Sequence, residues 1–149
     1  MLRQAIETTE YIDHHAWCFV PHSFRLMLHD LHLLGLTELR EVGSMHERKA
    51  LMADLSDGFL CLPGGPGTFD EVFEQWTWAL LGIHAKPCGF VNVSGYYDLM
   101  RQTVQNMADN GFIAQTYVDM LVYADTSAGV LDAFRTYVAP PPKWAGARR

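Results

Sequence analysis

The chain has 149 residues, of which 49% are apolar and 19% charged, a composition typical of a globular domain. Its formal net charge of −6 argues against nucleic-acid binding, since contacts to phosphates require a basic surface. Its three cysteines form neither a CxxC pattern nor a disulfide framework, which indicates reduced thiols. No signal peptide and no run of roughly 20 apolar residues is present, so we predict a cytoplasmic protein without a membrane partner.

From residue 37 onward, short strand patterns alternate with helical ones. We expect strands at 37–42, 58–62, 88–93 and 121–124, and helices at 44–56, 68–82, 96–111 and from about 125 to 138. A capping box at Ser44 and Glu47 begins the first helix. The alternation indicates βαβ units, and therefore an α/β fold with a Rossmann-like parallel sheet and flanking helices. Residues 1–35 lack this rhythm and form an atypical N-terminal segment, and we expect the proline-containing residues 139–149 to be a flexible tail.

The segment after the second predicted strand, residues 63–71 (PGGPGTFDE), is rich in glycine. Loops at the carboxyl ends of parallel strands line the ligand crevice of such folds. Gly64, Gly65 and Gly67 leave backbone N–H groups open to an anion at the start of a helix, where the helix dipole favours a phosphate. Thr68 can cap this helix or bind the same anion. The alternative is a tight connection without a ligand, and the spacing fits neither a Walker loop nor the GxGxxG of NAD-binding proteins.

Charged residues on both sides of this loop have structural and functional interpretations. Thr68 and Glu71 have the spacing of a capping box, and on spacing alone capping is the better interpretation of Glu71. Glu74, one turn further, either contacts a substrate or is solvated. Arg48 and Lys49 lie in the first turn of the preceding helix, where cations oppose the helix dipole. Either an anion in the crevice or simple solvation explains them.

Two motifs together resemble the double signature of the Lonely Guy (LOG) family, whose members are often called lysine decarboxylases. The family pattern is MHxRK followed closely by PGGxGTxxE. The matching residues are Met45, His46, Arg48 and Lys49 in the first motif and Pro63, Gly64, Gly65, Gly67, Thr68 and Glu71 in the second. The resemblance covers about residues 36–135, so we expect residues 36–138 to form a LOG-like nucleotide-binding domain.

The resemblance implies a homodimeric nucleoside 5′-monophosphate phosphoribohydrolase that uses no metal and no organic cofactor. It would cleave the N-glycosidic bond of AMP or N6-isopentenyl-AMP to release ribose 5-phosphate and the free base, a cytokinin in the second case. The C1′ carbon passes through an oxocarbenium-like state, which a carboxylate can stabilise while it orients water. The implied catalytic residues are Arg48, against the nucleotide and its leaving base, and Glu71, at the sugar carbon. The implied substrate- and phosphate-binding residues are Met45, Lys49, Pro63, Gly64, Gly65, Gly67 and Thr68.

The N-terminal segment departs from the family. Members begin with a strand and a Gly-Ser-Ser turn, and they carry a further glycine-rich segment before the arginine motif, all of which residues 1–35 lack. A truncated or frame-shifted gene and a genuine deletion both explain this difference. The alternative to an active enzyme is an inactive remnant that retains nucleotide-phosphate binding. His29 and His32 suggest a metal, but no carboxylate or cysteine pattern completes a site. Lysine decarboxylation would need pyridoxal phosphate on a reactive lysine, for which the motifs give no reason.

Overall fold

The structure, a computed structural model, describes residues 42–145. In chain order the elements are α1 (Met45–Leu55), β1 (Phe59–Cys61), α2 (Pro66–Leu81), β2 (Cys88–Val91), a 3₁₀ turn (Val93–Gly95), α3 (Asp98–Asp109), the short α4 (Gln115–Val118), β3 (Leu121–Ala124) and α5 (Ser127–Arg135). The predicted strand 37–42, apart from Val42, and the atypical segment 1–35 lie outside the described residues, as does the end of the tail.

The three strands form a parallel sheet in the order β1–β2–β3, which confirms the predicted α/β class. Cys61 lies opposite Phe90, and Phe90 lies opposite Tyr123, so the strands end close to the same edge of the sheet. Asn92, directly after β2, donates a backbone hydrogen bond of 2.8 Å to the carbonyl of Ala124. The loops that follow β1 and β2 are therefore neighbours at the carboxyl edge, where parallel sheets bind ligands.

The core lies around β2, the middle strand. All four residues of β2 are buried, whereas those of β1 are only partly buried, because β1 has a strand neighbour on one side only among the described residues. The fully apolar run at 58–62 had predicted a more deeply buried strand. Phe90 and Tyr97 form the aromatic centre of the core, with ring centroids 4.7 Å apart.

Helix α2 packs on the sheet through the predicted apolar face. Val72, Trp76 and Ala79 are buried, and the indole Nε1 of Trp76 donates a 2.8 Å hydrogen bond to the carbonyl of Tyr117. The helix ends at Gly82, the predicted stop, whose φ of 79° lies in the left-handed region that glycine tolerates.

The remaining helices differ from prediction at their ends. Helix α3 begins at Asp98 and not at residue 96, because residues 93–97 form a tight turn in which Ser94 has a φ of 52°. Helix α5 ends at Arg135, three residues before the predicted end, and its N-cap is Thr126, whose hydroxyl accepts a hydrogen bond from the N–H of Gly129. The short helix α4 was not predicted. Within residues 42–145, no helix combines the length and the apolar character needed to cross a bilayer.

Candidate active site

The glycine loop, residues 63–67, follows β1 at the carboxyl edge of the sheet and includes the first two residues of α2. Gly65 is the N-cap of α2, and its carbonyl accepts hydrogen bonds from the N–H groups of Thr68 and Phe69 at 3.1 and 3.3 Å. Among residues 42–145, none accepts a hydrogen bond from the N–H of Gly64, Gly65 or Gly67. Three backbone donors at the N-terminal end of a 16-residue helix thus have no acceptor in the described part of the chain, and they occupy the kind of position that binds anions.

Neither Thr68 nor Glu71 caps the helix, so the capping-box interpretation is wrong. Pro66 occupies the first position of α2, which its fixed φ favours, and the N-cap is therefore Gly65, three residues earlier than the Thr68 that the capping box required. Thr68 lies inside the first turn and Glu71 in the second. Thr68 is 7% exposed, and its Oγ1 has no hydrogen-bond partner in the described part of the chain.

Glu71 is paired with Arg48, as the LOG-like motifs require if both act in one site. The Arg48 guanidinium Nη2 donates to Glu71 Oε1, and the two side chains are only 11% and 20% exposed. Glu71 Oε2 accepts no hydrogen bond from any other residue that the structure describes. The pair connects the first turn of α1 to the second turn of α2, and within residues 42–145 it leaves the second carboxylate oxygen available to a substrate or a water molecule.

Lys49 lies between two carboxylates of α2, and the sequence analysis did not predict these ion pairs. Its Nζ is 2.6 Å from Asp70 Oδ2 and 3.2 Å from Glu74 Oε2. The hydrogen bond to Asp70 raises the pKa of Lys49 above its usual value, with burial opposing it as the second influence. The role of Lys49 on a phosphate stays a prediction, since the contacts that the structure describes for its ammonium join α1 to α2.

The start of α1 follows the predicted capping box with one change. Ser44 Oγ accepts a 3.1 Å hydrogen bond from the N–H of Glu47, and Glu47 Oε2 accepts from the N–H of Gly43 at 2.7 Å, one residue earlier than in the usual box. Met45 is the first residue of α1 and is 36% exposed. The cap fixes the turn that carries Arg48.

Two tyrosines that the sequence did not single out bind the backbone of the β1–α2 connection. The hydroxyl of Tyr97 donates a 2.5 Å hydrogen bond to the carbonyl of Leu62, and that of Tyr96 donates a 2.7 Å hydrogen bond to the carbonyl of Gly64. Burial raises the pKa of Tyr97, so its hydroxyl stays protonated and remains a donor. The sequence feature that could have identified these tyrosines is their position directly after a predicted strand of a parallel sheet, where ligand-binding loops lie.

Nucleophilic thiols and a metal centre find no support among the described residues. Burial raises the pKa of Cys61 and of Cys88 to about 12, so neither is a thiolate near neutral pH. Within residues 42–145, no three His, Cys, Asp or Glu side chains are grouped so as to hold a metal ion. His29 and His32 lie outside this range.

The two ion pairs of Lys49 are expected to stabilise the fold. Replacing Lys49 with Met should lower the free energy of unfolding by about 1–2 kcal/mol, because Asp70 and Glu74 are left facing each other. Since the raised pKa keeps the ammonium charged, the loss should be constant from pH 6 to 9 and shrink only above about pH 10.5, the usual pKa of lysine. Urea unfolding at several pH values measures it.

The controls for this prediction are a rescue and an exposed lysine. Adding Glu74→Gln to Lys49→Met should recover part of the loss, because one of the two unpaired carboxylates is removed. Lys143→Met, at an exposed lysine, should change little. Equal losses in Lys49→Met and Lys143→Met would contradict a stabilising role for the two ion pairs.

Comparisons with known proteins agree with the motifs. A family model described as "Possible lysine decarboxylase" matches residues 18–134 and so includes part of the atypical N-terminal segment. A rice protein (Oryza sativa subsp. japonica) named "Probable cytokinin riboside 5'-monophosphate phosphoribohydrolase" is 50% identical over 101 residues, 68% of this chain and 44% of the relative. A protein of the same name from Arabidopsis thaliana is 44% identical over 113 residues, 76% of this chain and 56% of the relative.

A bacterial protein from Rhodococcoides fascians, named "Cytokinin riboside 5'-monophosphate phosphoribohydrolase", is 41% identical over 117 residues, 78% of this chain and 59% of the relative. The chain therefore spans about half the length of the relatives that it matches. The family match covers more than half of this chain, and it includes both motifs that meet in the Arg48–Glu71 pair. The chain belongs to the Lonely Guy (LOG) family.

Proposed function

We propose that the chain is a nucleoside 5′-monophosphate phosphoribohydrolase. It would hydrolyse the N-glycosidic bond of AMP or an N6-modified AMP to free base and ribose 5-phosphate. The observation that carries the proposal is the Arg48–Glu71 pair beside a glycine loop whose N–H groups are open. The names of the relatives, which specify a cytokinin riboside 5′-monophosphate, support the substrate class.

The glycine loop is the proposed site of the 5′-phosphate. The N–H groups of Gly64, Gly65 and Gly67 and the hydroxyl of Thr68 offer four donors at the positive end of α2. A buried hydroxyl without a partner costs about 1–3 kcal/mol, and a phosphate oxygen would relieve that cost. Pro63 gives the loop a rigid start.

Glu71 would act on the sugar carbon. Thr68 and Glu71 are three residues apart in α2 and so lie on one face of the helix. This supports a carboxylate near the sugar of a nucleotide whose phosphate binds at Thr68. In the proposed step the oxygen of water bonds to C1′ as the bond from C1′ to the base nitrogen breaks. The bonding electrons pass to the base, which takes up a proton from solvent, and Glu71 Oε2 takes the proton that the attacking water loses and later returns it to solvent.

Arg48 would hold this carboxylate in place and offset negative charge on the leaving base. Its ion pair engages Oε1 and leaves Oε2 for water, so the carboxylate is oriented before substrate binds. Met45, in the turn that carries Arg48, and Lys49 remain proposed substrate contacts. No metal or organic cofactor enters this step.

The proposal extends to a cytoplasmic homodimer. The free thiols of Cys61 and Cys88 support a reducing compartment. Exposed apolar side chains at the ends of α1 and α2, namely Leu55, Leu81 and Ile83, support self-association.

A second candidate function is an inactive remnant that only binds the nucleotide phosphate, which the partial coverage of the relatives favours.

Hydrolysis by the purified full chain tests the proposal. Incubation with AMP and, separately, N6-isopentenyl-AMP should release ribose 5-phosphate and free base, measured by chromatography. Glu71→Gln should lower kcat by at least about 100-fold, because it removes the proton acceptor and the negative charge at C1′. Asp132→Asn, at an exposed carboxylate of α5, is the matched control and should retain full activity. A folded wild-type protein without release would favour the remnant, and an active Glu71→Gln variant would remove Glu71 from the chemistry.

Thr68→Val separates phosphate binding from stability. The variant keeps the shape of the side chain but removes the buried hydroxyl, which has no partner in the described part of the chain. KM for the nucleotide should rise about three- to tenfold. The melting temperature should stay level or rise, because no hydrogen bond within the described chain is lost. A lower melting temperature with unchanged KM would show that the hydroxyl serves the fold and not the phosphate.

A further inference from the structure

We infer that Tyr96 is a positioning residue: its hydroxyl fixes the orientation of the Gly64–Gly65 peptide and thereby sets the affinity of the glycine loop for the 5′-phosphate. The inference rests on the proposed function. The Tyr96 hydroxyl donates a 2.7 Å hydrogen bond to the carbonyl oxygen of Gly64. Because the peptide is planar and trans, this carbonyl and the Gly65 N–H point in opposite directions. Holding the carbonyl toward the tyrosine therefore holds the N–H on the opposite side of the loop.

The chain itself gives this peptide little orientational preference. Residues on both sides of the peptide are glycines, which adopt positive and negative φ with similar ease. A rotation of the peptide would replace a donor with a carbonyl oxygen, and an anion is repelled by that oxygen. The Gly65 N–H has no acceptor among residues 42–145, so it does not hold the orientation itself. The hydrogen bond from Tyr96 therefore fixes the orientation of a peptide that the two glycines alone would leave free to rotate.

Tyr96 reaches the loop because the turn after β2 is tightly built. Asn92 Oδ1 accepts a 2.7 Å hydrogen bond from the N–H of Tyr97, and Asn92 Nδ2 donates a 2.8 Å hydrogen bond to Asp98 Oδ1. Ser94 and Gly95 both have positive φ, 52° and 74°. The φ of Gly95 favours glycine, and a Cβ there would also displace the Asp98 carboxylate, whose Oδ2 would lie 2.5 Å away. These contacts fix the direction in which Tyr96 leaves the turn.

The two tyrosines have separable roles. Tyr97 is fully buried, and its ring packs edge to face against that of Tyr96 at 5.0 Å, so its loss disturbs the core. Tyr96 is 52% exposed, so removal of its hydroxyl leaves the packing intact. Tyr96→Phe therefore isolates the hydrogen bond to the glycine loop from the stability of the fold.

The test compares Tyr96→Phe with wild type in the full chain. The dissociation constant of ribose 5-phosphate, measured by calorimetry, and KM for N6-isopentenyl-AMP should both rise about three- to tenfold, the effect of one hydrogen bond. The value of kcat should stay within about twofold, and the melting temperature should not change. Tyr117→Phe is the matched control: its hydroxyl donates a 3.4 Å hydrogen bond to the carbonyl of Pro141, so both constants should be unaltered.

The outcomes separate this inference from the proposed function. Unchanged ribose 5-phosphate affinity in Tyr96→Phe, with normal binding by wild type, overturns the inference alone. A parallel fall in kcat and melting temperature also overturns it, because a structural role would explain both. A folded wild-type protein that binds no ribose 5-phosphate overturns the proposed function, and the inference with it. Tyr97→Phe keeps the buried ring but removes the hydrogen bond to the carbonyl of Leu62, so it is expected to lower the melting temperature and marks the effect of a structural hydrogen bond.

Discussion

The position of Pro66 fixes where α2 begins, and the arrangement of the site depends on that start. A proline at the first helical position has no N–H to satisfy and a φ suited to the helix. Gly65 then becomes the cap, Thr68 falls in the first turn with its hydroxyl buried, and Glu71 falls in the second turn opposite Arg48. If Thr68 were the N-cap, the side chains of Thr68 and Glu71 would both bind backbone N–H groups of the helix, and neither would be available to a ligand.

Within residues 42–145, helix α1 contacts the other elements largely through charged side chains. Ala53 is its one buried residue within the described chain, and Lys86 Nζ donates to the carbonyl of that residue. Arg48 and Lys49 join α1 to α2 through three carboxylates. Removing one partner of such a pair leaves a partly buried charge unpaired and is destabilising, and we infer that the intact pairs also hold the two helices in one orientation. The same contacts that attach α1 thus place the guanidinium against Glu71.

Much of the fold follows from the sequence pattern. Apolar runs separated by helical segments predict the three parallel strands, and the spacing of Val72, Trp76 and Ala79 predicts the buried face of α2. The capping-box interpretation of Thr68 and Glu71 failed because local spacing was weighed without the proline two residues earlier. The strong preference of proline for the first helical position was the signal that would have corrected it.

Other features depend on contacts between residues far apart in the chain, which one sequence does not specify. The carboxylates that pair with Lys49 lie 21 and 25 residues away, and Tyr96 lies 32 residues from the carbonyl that it holds. The glycines and Thr68 were identified from the chemistry of the loop and again through the family motif, and the structure adds which of their donors have no acceptor within residues 42–145. Their roles toward a substrate stay predictions.

The most direct test is a crystal structure of the full-chain Glu71→Gln variant with AMP. We expect the 5′-phosphate oxygens at ~3 Å from the N–H groups of Gly64, Gly65 and Gly67 and from Thr68 Oγ1. The C1′ carbon should face the side chain of residue 71. A phosphate bound away from the glycine loop, or a sugar whose C1′ faces away from α2, would contradict the account.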